Sequence, residues 1–539
     1  MARNRVIYNS EALFAGQKVG KNCYEQDEGT NSIKQLHRVQ NANYSFNVAR
    51  TDINQFGELA AIDRIITDTP TVSLDFSYYL ANFANEDFLG FNIGATGKGT
   101  VDPFGDGEGL TTAVKFYLDG TKDQRNYFIQ SSAEGIDAIN DEDNRKKSVI
   151  GIGNGFLTSY SVDASVGGLP TASVGVEALN MNFNSGLVLS HSGIGTTDYR
   201  NSWRSRGTGA GGWSSNNSQF SGVPILYDGG GTKLGFQTGG SASSANDGWQ
   251  GFYTHSSDND GSEWRSSGVR LPSVNPVDGQ KSAGVYFLPT ASGHAGVDAS
   301  GLLNLSTLRP GDIRMYFRQV QKGGNVALSG FSGAGVTDGS AQFKDPDIPG
   351  VELPTQSGYK REAADDALGG EVTAAHIQSF SLDFGLSRTP LQRLGVKYAY
   401  SREIDFPVNV SLSVDAILAD LTTGNLADII NCDRSYDVAI EMAAPADCMG
   451  GASQSHDLRG FDGRLPVATY IIKNAKLDSE SFSSSIGDNK GVTLDFSAQI
   501  GGPNQSGNGL FMKGVTASNI ESQLESSSPA FPTETTTMS

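Results

Sequence analysis

Cysteine is scarce: Cys23, Cys432 and Cys448 are the only three in 539 residues. That is too few for a disulfide-stapled scaffold, and free buried thiols fit better than a Cys432–Cys448 bridge. Histidine is also sparse. None of His37, His191, His255, His294, His376 and His456 stands at a metal-ligand spacing such as HExxH, or near enough to a cysteine to share an ion. Positive charge is short, with 40 Lys and Arg against 59 Asp and Glu, a formal net charge of −19. Binding through nucleic-acid phosphates needs basic patches, so this balance argues against it, and an acidic surface repels DNA instead. No apolar run reaches membrane-spanning length. The opening MARNRVIYNSEALFAG has no apolar signal core, so folding in a cytoplasm is expected. There is no P-loop, no GxSxG elbow and no CxxC. No nucleophile, base or metal cluster emerges, so an enzyme is not expected, and no cofactor is implied.

What the chain has is glycine, 67 residues of it, with Ser, Thr and Asn crowding the spaces between short apolar runs. That texture belongs to a mainly β protein with many turns. The length suits two to four domains with real cores.

The most informative stretch is residues 44–81, YSFNVARTDINQFGELAAIDRIITDTPTVSLDFSYYLA. Two alternating arms, Tyr44, Phe46, Val48 and Val72, Leu74, Phe76, Tyr78, flank a long loop. Alternation of period two marks strands with one buried face. Shifted by 338 positions the stretch returns without a gap as LDFGLSRTPLQRLGVKYAYSREIDFPVNVSLSVDAILA. Phe46/Phe384, Arg50/Arg388, Gly57/Gly395, Arg64/Arg402, Val72/Val410 and Leu74/Leu412 are among twelve identities over 36 positions. Chance supplies about two or three. A weaker echo links residues 159–183 to 479–500 at an offset of 320, through Ser161/Ser481, Ser165/Ser485, Gly167/Gly487 and Ala178/Ala498. The order is the same in both halves, which reads as an internal duplication.

The expected organisation is an N-terminal arm over 1–43, ordered only by contact with a neighbouring copy, and a first β domain over 44–183. A Gly/Ser/Trp-rich inserted β module over 184–268 follows. A second β domain spans 269–502, with its core repeat at 379–502, and a flexible tail covers 503–539. Within the first domain, 82–109 reads as loop, 113–118 and 127–130 as short strands, and 134–147 as a helix or charged loop. Another helix is expected near 361–368.

Several local patterns carry chemistry only weakly. Asp258–Glu263 and Asp102–Glu108 resemble the start of an oxygen-ligand calcium loop but lack the flanking helices and the correctly spaced Glu. All four tryptophans, Trp203, Trp213, Trp249 and Trp264, fall in 184–268. They suit a module core better than a sugar-stacking face. The four repeated arginines, Arg50, Arg64, Arg388 and Arg402, sit in the long loops near Asp63, Asp68, Glu403 and Asp405. Their retention points to pairing between adjacent domains, which fixes register more than it adds affinity.

The opening sequence, the run ANYSFNVARTDINQFGELAAIDRIITDTPTVSLDFSYYL and the late SFSSSIGDNKGVTLDFSAQIGGP resemble major tail tube and related virion structural proteins of tailed bacteriophages. The resemblance covers the two repeats. It implies a β-sandwich whose long hairpins align into a closed inner barrel, in rings stacked as a tube for tape-measure protein and genome. If such rings present six domains, a duplicated chain forms a trimeric ring with pseudo-sixfold symmetry. Tail terminator and baseplate or tip proteins are then further partners, and the virion tail is the location. The lumen side would carry the polar members of the alternating strands: Asn47, Ser73, Asp75, Ser77, Asp383, Ser411, Ser413, Asp415 and Asp495. The polar 184–268 insertion would project outward, where it would clash with a contractile sheath. An adhesin with a glycan-binding insertion and a capsid or decoration protein are the rival readings.

Overall fold

The computed structural model describes residues 11–17, 34–94, 104, 110–120, 123–131, 148–185, 226–227, 233–234, 268–270, 272–274, 285–287, 307–321, 342–344, 348, 350–351, 355–361, 372–375, 377–418, 421, 426, 434–443, 466–484, 489–503, 505 and 507–516. Strands dominate. The first half contributes β1 (Glu11–Gln17), β2 (Val39–Asn47), β3 (Arg50–Ile53), β4 (Asp63–Ile66), β5 (Thr71–Tyr79), β6 (Arg125–Ser131), β7 (Ser148–Ser165), β8 (Thr171–Ala178) and β9 (Asn180–Ser185). The second half contributes β10 (Ile313–Gln321), β11 (Ile377–Gly385), β12 (Arg388–Leu391), β13 (Ser401–Ile404), β14 (Asn409–Ile417), β15 (Ser435–Ala443), β16 (Pro466–Ser483), β17 (Gly491–Gln499) and β18 (Gly509–Gly514). Two short helices, α1 (Ala84–Leu89) and α2 (Lys115–Leu118), lie between β5 and β6.

Eight strands make one continuous antiparallel sheet in the order β2–β5–β8–β7–β11–β14–β17–β16. Alternation dictates its two faces. Val72, Leu74, Phe76 and Tyr78 of β5 are buried, while Ser73, Asp75 and Ser77 point the other way. The same phase holds for Val410, Leu412 and Val414 on β14 and for Val492, Leu494 and Phe496 on β17. A slip of one residue would exchange the faces, so the buried rows hold the register.

β7 and β16, 18 residues each, run through a second layer as well. The start of β7 lies between β6 and β9, with β1 beyond β6. The start of β16 lies between β15 and β18, with β10 beyond β15. The inner faces share one core. Tyr160 of β7 packs 5.5 Å from Phe384 of β11, and its hydroxyl lies 2.7 Å from that of Tyr470 on β16. Apolar contact is therefore continuous from one half of the chain to the other.

The halves pair in matching registers. Tyr44 faces Leu74 and Leu382 faces Leu412, each 338 positions on; Leu74 faces Val176 and Leu412 faces Phe496, with the second member 320 on. The β7–β8 ladder skips between Leu157 and Ser159, and the β16–β17 ladder between Leu477 and Ser479. Asn154 and Asn474 carry left-handed backbone at φ 54° and 59°. Asn tolerates that conformation better than most residues.

Several expectations are corrected. Residues 11–17, assigned to an arm awaiting a neighbour, form β1 and pair with β6 of their own chain, with Leu13, Phe14 and Ala15 buried. Gly509–Gly514, assigned to the tail, is β18 and lies fully within the second layer. The 82–109 loop contains α1, where the Asn82 side chain accepts from the Ala84 amide at 3.1 Å. The 113–118 strand is instead α2: Ala113, Val114 and Tyr117 are buried, a helical spacing that six residues were too few to reveal. The segment 134–147, the four tryptophans and the three cysteines lie outside the described residues, as does the helix expected near 361–368 apart from Arg361, which ends the strand Thr355–Arg361. Within 226–287, Leu226–Tyr227, Lys233–Leu234, Gly268–Arg270 and Val285–Phe287 form a separate four-stranded sheet.

Candidate assembly surface

The outer face of the eight-stranded sheet collects hydroxyls and carboxylates. Asn47, Ser73, Asp75 and Ser77 from β2 and β5 lie on the same face as Asp383, Ser411, Ser413, Asp415 and Asp495 from β11, β14 and β17. Sequence reasoning missed Asp163, Ser161 and Ser173, which join them through β7 and β8. Their alternation was visible, but not the β7–β11 pairing that sets them beside Asp383. Hydroxyls hold the carboxylates in place. Ser379 and Thr493 donate to Asp415 at 2.7 and 2.6 Å, and Ser413 donates to Asp495 at 2.6 Å. Hydrogen bonds from Ser413 and Ser479 hold the Asp495 carboxyl below its ordinary pKa, while partial burial and the nearby Asp163 raise that of Asp383. Lys476, at the rim of β16, is the one basic residue on this face among the described strand positions.

Two hairpin arms extend from the sheet. β3 pairs with β4 and β12 pairs with β13. Gly57 and Gly395 near the tips have φ of 97° and 84°, which glycine adopts without a Cβ clash. All of β3 and β4 is exposed, and Phe56 and Leu59 at the tip stand fully in solvent.

The four repeated arginines meet different surroundings. Arg388 is buried, its guanidinium 5.1 Å from the Phe156 ring centre, donating to the carbonyls of Arg402 and Leu157 at 3.1 and 3.4 Å. Arg402 is buried too, 2.5 Å from the Glu177 carboxylate of β8. The second arm is thus rooted on β7 and β8 of the first half. Arg50 and Arg64 are exposed, and Arg64 pairs with Asp52 across its own hairpin. Asp63 and Asp68 accept instead from backbone amides, and Asp68 also from Gln392 of the second arm at 3.1 Å. Asp405 accepts from Ser387 and Thr389, and Glu403 from Ser401. Asp52 was legible as the cross-strand partner of Arg64 once the hairpin was drawn. Glu177 was not, because it meets Arg402 only through tertiary packing.

A buried carboxyl sits beneath the sheet. Glu86 of α1 accepts from the Tyr78 and Tyr160 hydroxyls at 2.7 and 2.9 Å. Burial pushes its pKa up to about 7, against those hydrogen bonds. The folded state therefore binds this proton more tightly than the unfolded chain does. Stability is fully present below the ordinary carboxyl pKa and declines as pH rises through about 7. The loss is on the order of 3 kcal/mol at 1.36 kcal/mol per unit. Glu86→Gln is expected to flatten that part of the pH–stability curve, measured by denaturant unfolding between pH 4.5 and 8; an unchanged slope would count against this assignment.

Among the described residues no group of three or more His, Cys, Asp or Glu is arranged to hold a metal, and no helix is long and apolar enough to cross a membrane. No family model matches the chain, and no curated protein matches it. Among solved structures, a chain of the anti-feeding prophage cap, described as a tube-terminating cap, aligns with 34% of this chain and 94% of its own at 9% identity and a TM-score of 0.20. A chain of the anti-feeding prophage baseplate aligns over 38% and 93% at 11% identity and a TM-score of 0.19. An Hcp protein aligns over 37% and 99% at 9% identity and a TM-score of 0.16. The similarity is distant and covers about a third of the chain.

Proposed function

We propose that this chain is a structural subunit of a phage tail tube, carrying two copies of one tube-wall unit. The observation that carries the reading is the pair of open edges on the eight-stranded sheet. Among the described residues, β2 pairs only with β5, and the last stretch of β16 only with β17. Unpaired edges template further strands, and closure removes them. Inside the chain the same kind of edge is already closed, where β7 pairs with β11. Matching registers and matching ladder irregularities support the duplication. Three copies, joined β16 to β2, give a closed wall with eight strands from each and pseudo-sixfold symmetry.

In that ring the Ser, Thr, Asn and Asp face lines the channel. Ionised carboxylates repel phosphates, and the hydroxyls offer no fixed positive charge, so DNA and a tape-measure protein pass without sticking. Rings stack through the arms, whose exposed Phe56 and Leu59 are large apolar groups awaiting cover. Terminator and tip proteins would cap the ends, and the virion tail would be the site of action after assembly in the host cytoplasm. The 184–268 segment is assigned to the outside of the tube. Phe56→Ser combined with Leu59→Ser is expected to leave single rings but no tubes in electron micrographs. Tubes of normal length would remove the arms from the stacking contact.

A further inference from the structure

The joint inside the chain serves as a template for the joint between chains, and it specifies more than the fact of contact. In the β7–β11 joint Ser161 faces Asp383 and Val162 faces Leu382. Flanking bonds from Leu386 to Thr158 and from Val166 to Gln378 make the even-numbered β7 residues the hydrogen-bonded partners. Carrying the β7 positions 320 on and the β11 positions 338 back gives the equivalent positions on the two open edges. Ser481 of β16 then meets Ser45 of β2, Phe482 meets Tyr44, and Glu480 meets Phe46. The exposure pattern agrees. Phe46 and Phe482 are 61% and 47% exposed, whereas their counterparts Phe384 and Val162 are 0% exposed in the closed joint.

The arm root also has a counterpart. Arg388 and Arg402 sit against Phe156 and Glu177. The corresponding place on the open edge, at Lys476 and Ser497, is a cavity of about 560 Å³ that also involves Asn474 and Gln499. The chemistry there has changed: the aromatic ring is replaced by an amine and the carboxylate by a hydroxyl. Arg64, the counterpart of Arg402, meets Ser497 where Arg402 meets Glu177, and already holds Asp52 on its own arm.

We propose that a second copy of this chain docks its β2 on β16 with Ser45 opposite Ser481, and that Arg50, facing Lys476 and Ser497 in place of a ring and an acid, is not seated there as Arg388 is. Arg64 stays on its own arm. This rests on the ring reading above and adds its register and its asymmetry: the joint between chains lacks the Arg402–Glu177 ion pair of the joint within the chain, and is the one that opens first.

The test uses the full chain carrying Ser45→Cys with Ser481→Cys, and the single variants as controls for the native cysteines. Non-hydrogen-bonded antiparallel pairs bring Cβ atoms within disulfide reach. Oxidised rings are expected to give a reducible covalent three-chain species, at a yield at least about fivefold above that of Ser45→Cys with Ser479→Cys or Ser483→Cys. Rings that cross-link best at a shifted pair overturn the register and leave the ring reading intact. Absence of any ring overturns both. For the asymmetry, Arg50→Ala and Arg64→Ala are each expected to change the concentration for half-assembly by less than about twofold. A rise of about tenfold for either variant would show a charged seat between chains and overturn the asymmetry.

Discussion

Phe482→Pro is expected to give a folded chain that forms no rings. The residue lies on the outer edge of the eight-stranded sheet and faces Val492 of β17 on its inner side. By the pattern of the β7–β11 joint, its amide points away from β17, toward the place a neighbour would occupy. Proline removes that donor and spares the ladder within the chain, which is why proline is tolerated on edge strands and not in central ones. It also removes an exposed ring that the neighbour would cover, worth about 1.5–3 kcal/mol on full burial. Two losses at each of three joints should abolish assembly at micromolar concentration. Sedimentation would show a monomer, and circular dichroism would show the native β spectrum. Rings of normal stability would mean that this edge is not a joint.

Replacing Asp75 and Asp415 by lysine is expected to slow genome delivery while leaving tubes intact. Both carboxylates are exposed on the polar face, so the exchange costs little in folding. Asp415 gives up the hydroxyl bonds from Ser379 and Thr493, which are themselves at the surface. Each substitution exchanges a repelling charge for one that binds phosphate, and the exchange repeats around every ring. Ammonium–phosphate contacts displace counterions and are strongly salt dependent. Ejection measured by dye release should slow by about tenfold or more at low salt and recover as salt rises. Asp75→Asn with Asp415→Asn should show a much smaller effect. Unchanged kinetics in the lysine variant would place these strands away from the channel.

Much of this arrangement is readable from the chain because strand alternation is local. Val72, Leu74 and Phe76 declare one face of β5 and Ser73, Asp75 and Ser77 the other, and the second copy repeats the phase 338 positions later. That is why polar residues named from two distant stretches lie on one surface. The β7–β11 joint is different. It pairs residues more than 200 positions apart, and nothing in either strand's own pattern names its partner. Glu177, the acid that meets Arg402, was invisible for that reason. β1 was missed because Ala12, Leu13, Phe14 and Ala15 are buried in succession, so the strand does not alternate. α1 was missed because Glu86 looks like a surface residue until Tyr78 and Tyr160 are brought over it.

The number of chains per ring separates this account from its alternatives most directly. Cryo-electron microscopy of the self-assembled protein, with native mass spectrometry of the smallest closed species, would count them. The account predicts three chains per ring, with eight strands of each chain in the channel wall and the β16–β2 joint alternating with β7–β11 around it. Six chains per ring, or a closed shell in place of a tube, would contradict it.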